Sequence, residues 1–224
     1  MNHVLIISVI GIMNKMRYVG SVTRHDILNQ VMVALGYLAL LDEMVPAGAE
    51  FHEFCRKATE ATKRIQRQIT FTRDYQNLGV KSPEWQLITD VVSHSAYAGS
   101  GISITVNTGR LEILADPLLE RVFFNLFDNS MRHGDHVTGI VIGFHEEGDR
   151  GILTVEDNGI GIPDERKTRV FERGYGRNSG LGLFLAREIL DISGLCIHEA
   201  GIPDKGARFG ITVQKRDVAN WREE

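Results

Sequence analysis

Cysteine is nearly absent. The two that occur, Cys55 and Cys196, stand far apart and lack the spacing of metal ligands. Neither a disulfide framework nor a zinc ribbon is expected, and both are read as buried thiols in a reducing compartment. An excess of one charge is missing too: the net charge is -4, so no basic field advertises nucleic acid or acidic lipid. Long apolar runs are lacking at the N-terminus. Residues 4–13 are apolar, but a span of about ten residues falls well short of the ~20 that cross a bilayer. No Lys or Arg precedes that run and no small-residue cleavage site follows it, which fits a signal peptide poorly. Three readings stay open for it: the last strand of an upstream sensor module, the start of a long helix, or the tail of a membrane span with Lys15 and Arg17 on its cytoplasmic side. An incomplete upstream region is the favoured one, so residues 1–14 are assigned to a remnant of a sensor or linker.

What is present suffices for real cores. A chain of 224 residues with 43% apolar content has room for one or two domains. Proline is missing from residues 14–41, where Val19, Val22, Leu28, Val31, Leu35, Leu38 and Leu41 recur at helical spacing. Pro46 and Gly48 break that helix. A second helix is expected over residues 50–78, with Phe54, Ala58, Ala61, Ile65, Ile69 and Thr72 on one face. Such a hairpin has more apolar stripe than one pair of helices buries. Two copies forming a four-helix bundle complete the core, so a homodimer is expected.

After the breaker-rich residues 79–83 (Gly-Val-Lys-Ser-Pro) the period changes. Strands are expected at residues 102–107, 111–114, 138–145, 152–156, 195–199 and 208–213. One helix opens at Asp116 as N-cap with Pro117 at the first helical position, and another covers residues 182–193. The fold class is therefore α plus α/β: an antiparallel two-helix hairpin that forms a dimeric four-helix bundle, followed by a two-layer α/β sandwich with helices on one face of a mixed sheet.

Chemistry concentrates in that second half. An apolar strand ends in Asp157, an acceptor-only side chain suited to an exocyclic amine such as the N6 of adenine. Gly159 and Gly161 follow, free to approach a ligand closely or to take positive φ. Upstream, Asn125, Asn129 and Arg132 or His133 share one helix face, with Leu118, Leu119, Val122, Phe123 and Leu126 on the other. Amides followed by a cation suit Mg²⁺, at Asn125 and Asn129, and triphosphate oxygens. Downstream, Gly180, Leu181, Gly182 and Leu183 open a helix whose N-terminus would face phosphates. Residues 206–209 (Gly-Ala-Arg-Phe) lead into the last strand. The loop between Pro163 and Ser179 is rich in Arg and Gly and is expected to be mobile without nucleotide, with Phe171 and Tyr175 the candidates to pin it.

In these motifs the sequence resembles the catalytic core of sensor histidine kinases, whose ATPase fold is shared with DNA gyrase, heat-shock chaperones and mismatch-repair ATPases. Residues 125–133 match the N-box, 157–161 the first G-box, Val170-Phe171-Glu172-Arg173 the F-box and 180–182 the second G-box. The wording of Arg24-His25-Asp26-Ile27-Leu28-Asn29-Gln30, with the ending at 206–209, is most similar to kinases of methanogenic archaea. The likeness runs from about residue 15 to about residue 215 and implies a dimerisation and histidine phosphotransfer domain at 15–78, a catalytic ATP-binding domain at 84–216 and a tail at 217–224.

His25 lies between Val22 and Leu28 on the helical stripe, and Asp26 beside it can orient the imidazole or take its proton. A neutral imidazole nitrogen would attack the γ-phosphoryl group of ATP in line. The resemblance implies that the phosphoryl group then passes to an Asp of a response-regulator receiver domain. Asn29 matches the family's Asp/Glu-x-x-Asn/Thr pattern, which implies phosphatase activity toward that regulator. Two departures stand out: Gln30 where many members carry proline, and Ala207 where many carry Thr. Mg²⁺ carried with ATP is the one metal expected; zinc at His133, His136 and His145 is set aside for want of ligand spacing. The partners implied are a second copy and a receiver domain, with no nucleic acid, and a membrane only through a missing upstream region. A cytoplasmic kinase core is expected. Two other classes compete: a related ATPase or protein serine kinase of the same fold, and a non-catalytic nucleotide-binding dimer.

Overall fold

The computed structural model of the chain describes residues 24–44, 50–95, 101–176 and 180–220. The expectations for residues 4–13, for Val19 and Val22, and for the break at Pro46 and Gly48 lie outside these. The chain divides into two compact units, Met1–Gln76 and Asn77–Glu224.

In the first unit α1 covers Arg24–Met44 and α2 covers Glu50–Asn77. Asp42 Oδ1 lies 2.7 Å from His52 Nδ1, and Gln66 Nε2 donates to Met32 Sδ at 3.5 Å. Partners that descend along one helix as they ascend the other make the pair antiparallel. Val31 is buried on α1, with Leu28, Leu35 and Leu38 half-buried on the same line, while Leu41 is exposed. On α2 the inward face differs from the expected one. Phe54 is 58% exposed and Ile65 47%, whereas Cys55 is buried and Thr62 and Gln66 are half-buried. Neighbouring residues on a helix point about 100° apart. α2 therefore carries two lines, and α1 covers the one through Cys55.

Much apolar surface stays open in this unit: Val33, Tyr37, Leu40 and Met44 on α1, and Phe51, Phe54 and Ile65 on α2. By length and composition α1 is apolar enough to cross a membrane, and little of it is buried. Its neighbour α2 instead carries a ladder in which Arg56 bridges Glu53 and Glu60, with Lys57 also on Glu53. Such (i, i+3) and (i, i+4) pairs stabilise helices that face water. The hydrogen bonds from Arg56, then those from Lys57, hold the Glu53 carboxyl below its usual range.

The second unit is a two-layer α/β fold. Its large sheet has the order β2 (Ser103–Asn107), β4 (Gly139–Glu147), β5 (Arg150–Asp157), β7 (Arg208–Gln214), β6 (Cys196–Glu199). β2 and β4 are parallel and the other pairs antiparallel, so the sheet is mixed as expected. Alternation sends Ile140, Ile142, Leu153, Val155, Phe209, Ile211 and Val213 to one buried face. That face is covered by α3 (Ile88–Ser95), α4 (Leu119–His133) and α5 (Gly182–Ile192), which contribute Val92, Val122, Phe123, Leu126, Ala186 and Ile189. A small second sheet, not anticipated from the sequence, has the order β1 (Glu84–Leu87), β3 (Glu112–Ala115), β8 (Val218–Ala219). Cys196 begins an edge strand on the open face and is exposed, unlike Cys55. The expectation of two buried thiols therefore holds for one.

Asp116 ties this unit together. α4 begins at Leu119 rather than at Pro117, but Asp116 Oδ1 still accepts the Leu118 N–H at 2.8 Å, and Oδ2 accepts the Gly79 N–H at 3.0 Å. Its own N–H donates to Ser193 Oγ at 2.8 Å, just past α5. Asp116 is 3% exposed, so its removal leaves a gap in the interior and takes the partner from two backbone N–H groups at once. Asp116→Ala is expected to destabilise this unit by about 2 kcal/mol, read as a lower midpoint in denaturant unfolding.

Candidate functional site

The site is built around Asp157, the last residue of β5, whose side chain is 5% exposed. Oδ1 accepts the N–H groups of Gly159 and Ala207, each at 3.0 Å. The Asp157 N–H in turn donates to Ala207 O at 3.0 Å. Oδ2 accepts from the Ser130 hydroxyl at 2.5 Å. Three elements thus meet on one carboxylate: α4, the loop after β5, and the entry to β7.

Backbone contact, more than backbone conformation, explains the glycines here. A Cβ on Gly159 would lie 2.3 Å from Gly134 O, so this glycine admits the C-terminus of α4. That closeness lets the Ile160 N–H donate to Gly134 O at 3.1 Å. Gly161 has φ of 68°, one of the two uses expected of these glycines, and faces the carbonyls of Ile202 and Gly206. Gly206 is tightest: its missing Cβ would sit 1.9 Å from Asp157 O. The close approaches that the structure shows at these glycines are to neighbouring backbone.

Asn125 and Gly182 come together as the motif order suggested. A Cβ on Gly182 would lie 3.3 Å from Asn125 Oδ1. α5 starts at Gly182 after Leu181 with no side-chain cap, leaving its first N–H groups open to an anion. Leu183 turns inward and is buried. Gly180 has φ of 58° and packs against Gly174 and Tyr175, with the Gly174 N–H donating to Gly180 O at 3.1 Å. Asn125 and Asn129 are half-buried on α4, while Arg132 and His133 are exposed near its end. Arg132 Nε donates to Asp128 Oδ1 at 2.7 Å, so the guanidinium is held along the helix.

The loop after Gly161 has an anchor that the sequence reading passed over. Phe171 is buried edge-on against Phe209, with centroids 6.1 Å apart, as the pinning role required. Tyr175 is half-buried beneath the Arg169 guanidinium, which lies 4.7 Å from its ring centroid. Lys167 is the added anchor. Its Nζ donates to Gly201 O at 2.7 Å and lies 2.7 Å from Asp164 and 3.6 Å from Glu199. The Asp164 hydrogen bond, with the charge of Glu199 behind it, holds this ammonium above its usual range. Glu199 Oε1 accepts from the N–H groups of Gly201 and Arg208, which shapes the 201–206 loop that touches Asp157. Asn158 is a second omission: its side chain bonds Thr138 and Gly139 and fixes the start of β4. A charge run concealed Lys167, and the adjacent acid overshadowed Asn158.

In the first unit, His25 is exposed on α1. Its Nδ1 lies 3.4 Å from Asp26 Oδ1 and 3.3 Å from Asn29 Nδ2, both long contacts. The three residues read together in the sequence are therefore together in space. The carboxylate favours a proton on Nδ1 and the amide favours a lone pair there, so the two neighbours support opposite tautomers.

Known proteins resemble this chain in sequence and in fold. Residues 114–217 match the family described as histidine kinase-, DNA gyrase B-, and HSP90-like ATPase. The chain is 26% identical over 217 residues to the sensor protein KdpD of Escherichia coli, covering 89% of this chain and 24% of KdpD. It is 41% identical over 96 residues to the alginate biosynthesis sensor protein KinB of Pseudomonas aeruginosa, covering 41% of this chain and 16% of KinB. The chain thus spans a quarter or less of the length of either relative. Among solved structures, full-length ShkA in complex with AMPPNP superposes with a TM-score of 0.60 at 20% identity, covering 87% of this chain and 45% of that one, a likeness of fold. Together these likenesses support a histidine kinase catalytic core, with an ATPase domain of this type at residues 114–217.

Proposed function

We propose that this chain is the kinase core of a two-component sensor, phosphorylating its own His25 from ATP and passing the phosphoryl group to an Asp of a response-regulator receiver domain. The observation that carries this reading is a buried carboxylate with a nucleotide-type cradle around it, on the same chain as an exposed imidazole flanked by an acid and an amide. The wording at residues 24–30 and 206–209 favours a subgroup similar to kinases of methanogenic archaea.

The residues present fit Mg²⁺-ATP. Asp157 keeps a lone pair for an exocyclic amine, Gly182 leaves space beside Asn125, and the uncapped start of α5 suits phosphate. Asn125 and Asn129 would hold the metal, and Gly159, Gly161, Gly180, Leu181, Gly182 and Leu183 would line the nucleotide. Arg132 or His133 would meet the phosphates; for Arg132 this means leaving Asp128. Bound nucleotide supplies the phosphoryl group, and Mg²⁺ offsets its charge.

At the acceptor, Asp26 takes the hydrogen bond of Nδ1–H and leaves the lone pair on Nε2. Nε2 forms the new N–P bond as the bond to the bridging oxygen breaks and ADP departs. Asn29 favours the other tautomer and suits the reverse task, placing a water for hydrolysis of the regulator's phosphoaspartate.

A dimer is part of the proposal. Val33, Tyr37, Leu40 and Met44 repeat at i, i+4, i+7 and i+11, and Phe51, Phe54, Ala58, Ala61 and Ile65 alternate by three and four. These are the seams of a bundle with a second hairpin. A cytoplasmic kinase core is part of the proposal.

Incubation with radiolabelled ATP is expected to give acid-labile, base-stable phosphate that disappears in His25→Ala. Label that persists there, or acid-stable label, would favour the serine kinase reading; no label despite tight nucleotide binding would favour the non-catalytic dimer. Asp157→Asn is expected to abolish ATP binding while the dimer survives in sedimentation. For the neighbours of His25, Asp26→Asn is expected to slow autophosphorylation by ~10²-fold at unchanged ATP affinity. Asn29→Ala should spare that step and slow regulator dephosphorylation.

A further inference from the structure

The buried line of α4 runs Leu119, Phe123, Leu126 and then Ser130, which is 2% exposed. A hydroxyl in such a line is costly unless it is hydrogen-bonded. Its partner is Asp157 Oδ2 at 2.5 Å, a short bond of the charge-assisted kind. The opposite oxygen is already filled, since Oδ1 takes the N–H groups of Gly159 and Ala207. The carboxylate is therefore left with one unused in-plane acceptor position, on Oδ2, and Ser130 decides where it points.

We propose that Ser130 is a specificity-determining positioning residue, aiming Asp157 Oδ2 so that the site favours a purine triphosphate with a 6-amino group over one without it. This rests on the reading of Asp157 as the acid that meets the base. An ionised carboxylate accepts from an amino N–H, gains nothing from a bare C–H at that position, and repels a 6-oxo group. The two backbone N–H groups fix one end of the carboxylate and the hydroxyl fixes the other. Without the hydroxyl, Oδ2 shares its charge with whatever water enters, and the acceptor loses its single direction. The close packing of Gly134 on Gly159 holds Ser130 at this place, because it docks the end of α4 onto the loop that carries Asp157.

The test compares equilibrium affinities of the full chain for ATP and for the triphosphate of 6-unsubstituted purine riboside. The wild type is expected to prefer ATP. In Ser130→Ala, ATP affinity is expected to fall by about tenfold while affinity for the analogue stays within about twofold, so the preference collapses. A general loosening of the fold would lower both affinities together, and that result, or an unchanged preference, overturns the proposal. Ser130→Cys, close in size but a weak donor, carries the same test should the alanine variant fail to fold. Ser130→Thr, which keeps the hydroxyl, is expected to retain the preference. Asp157→Asn separates the two levels. If it leaves ATP affinity intact, the reading of Asp157 fails; if it abolishes binding while Ser130→Ala leaves the preference unchanged, only the role of Ser130 fails.

Discussion

The second unit depends on how closely three stretches of backbone approach Asp157. Gly134 against Gly159, Gly161 against residues 202 and 206, and Gly206 against Asp157 itself are contacts that a side chain would prevent. They bring α4, the β5 loop and the entry to β7 within hydrogen-bonding distance of one carboxylate. That carboxylate then repays its burial by binding two N–H groups and a hydroxyl. An acid so deeply bonded has little freedom to turn. Its one remaining acceptor direction is set by the fold itself.

Most of the sheet was legible because alternation is a strong local signal. β4, β5 and β7 fall where residues 138–145, 152–156 and 208–213 suggested, each within a residue or two at its ends. β1 and β8 were not legible: the Glu-Trp-Gln-Leu of β1 runs straight into α3, and two residues of β8 carry too little period to register. The site was legible in its motifs and not in its supports. Ser130 is a polar residue at an i+4 step in an apolar line, and that anomaly was available to be noticed. Lys167 was not, because nothing local distinguishes it from Arg166 or Arg169; what makes it special is Glu199, which comes close only once the sheet has formed.

The hairpin gives a different lesson. On α2 the more apolar line is not the one that α1 covers, so a single-chain reading by apolar content picks the other side. The face through Phe54 and Ile65 looked inward by content, yet the line through Cys55 is the one covered in the single chain. Apolar content alone does not rank two candidate faces. The one left over is the more aromatic, which suits it to a seam between copies.

Lys167 and Phe171 stand close together at the beginning of the long segment that leads from Pro163 to α5. One is tethered by charge to the rim of the sheet and the other by its ring to Phe209. A strap riveted twice near its root can swing only from the second rivet outward. The first stretch of the segment is thereby tied to the sheet at two points four residues apart, and Gly174 and Tyr175, packed on Gly180, lie beyond the second of them.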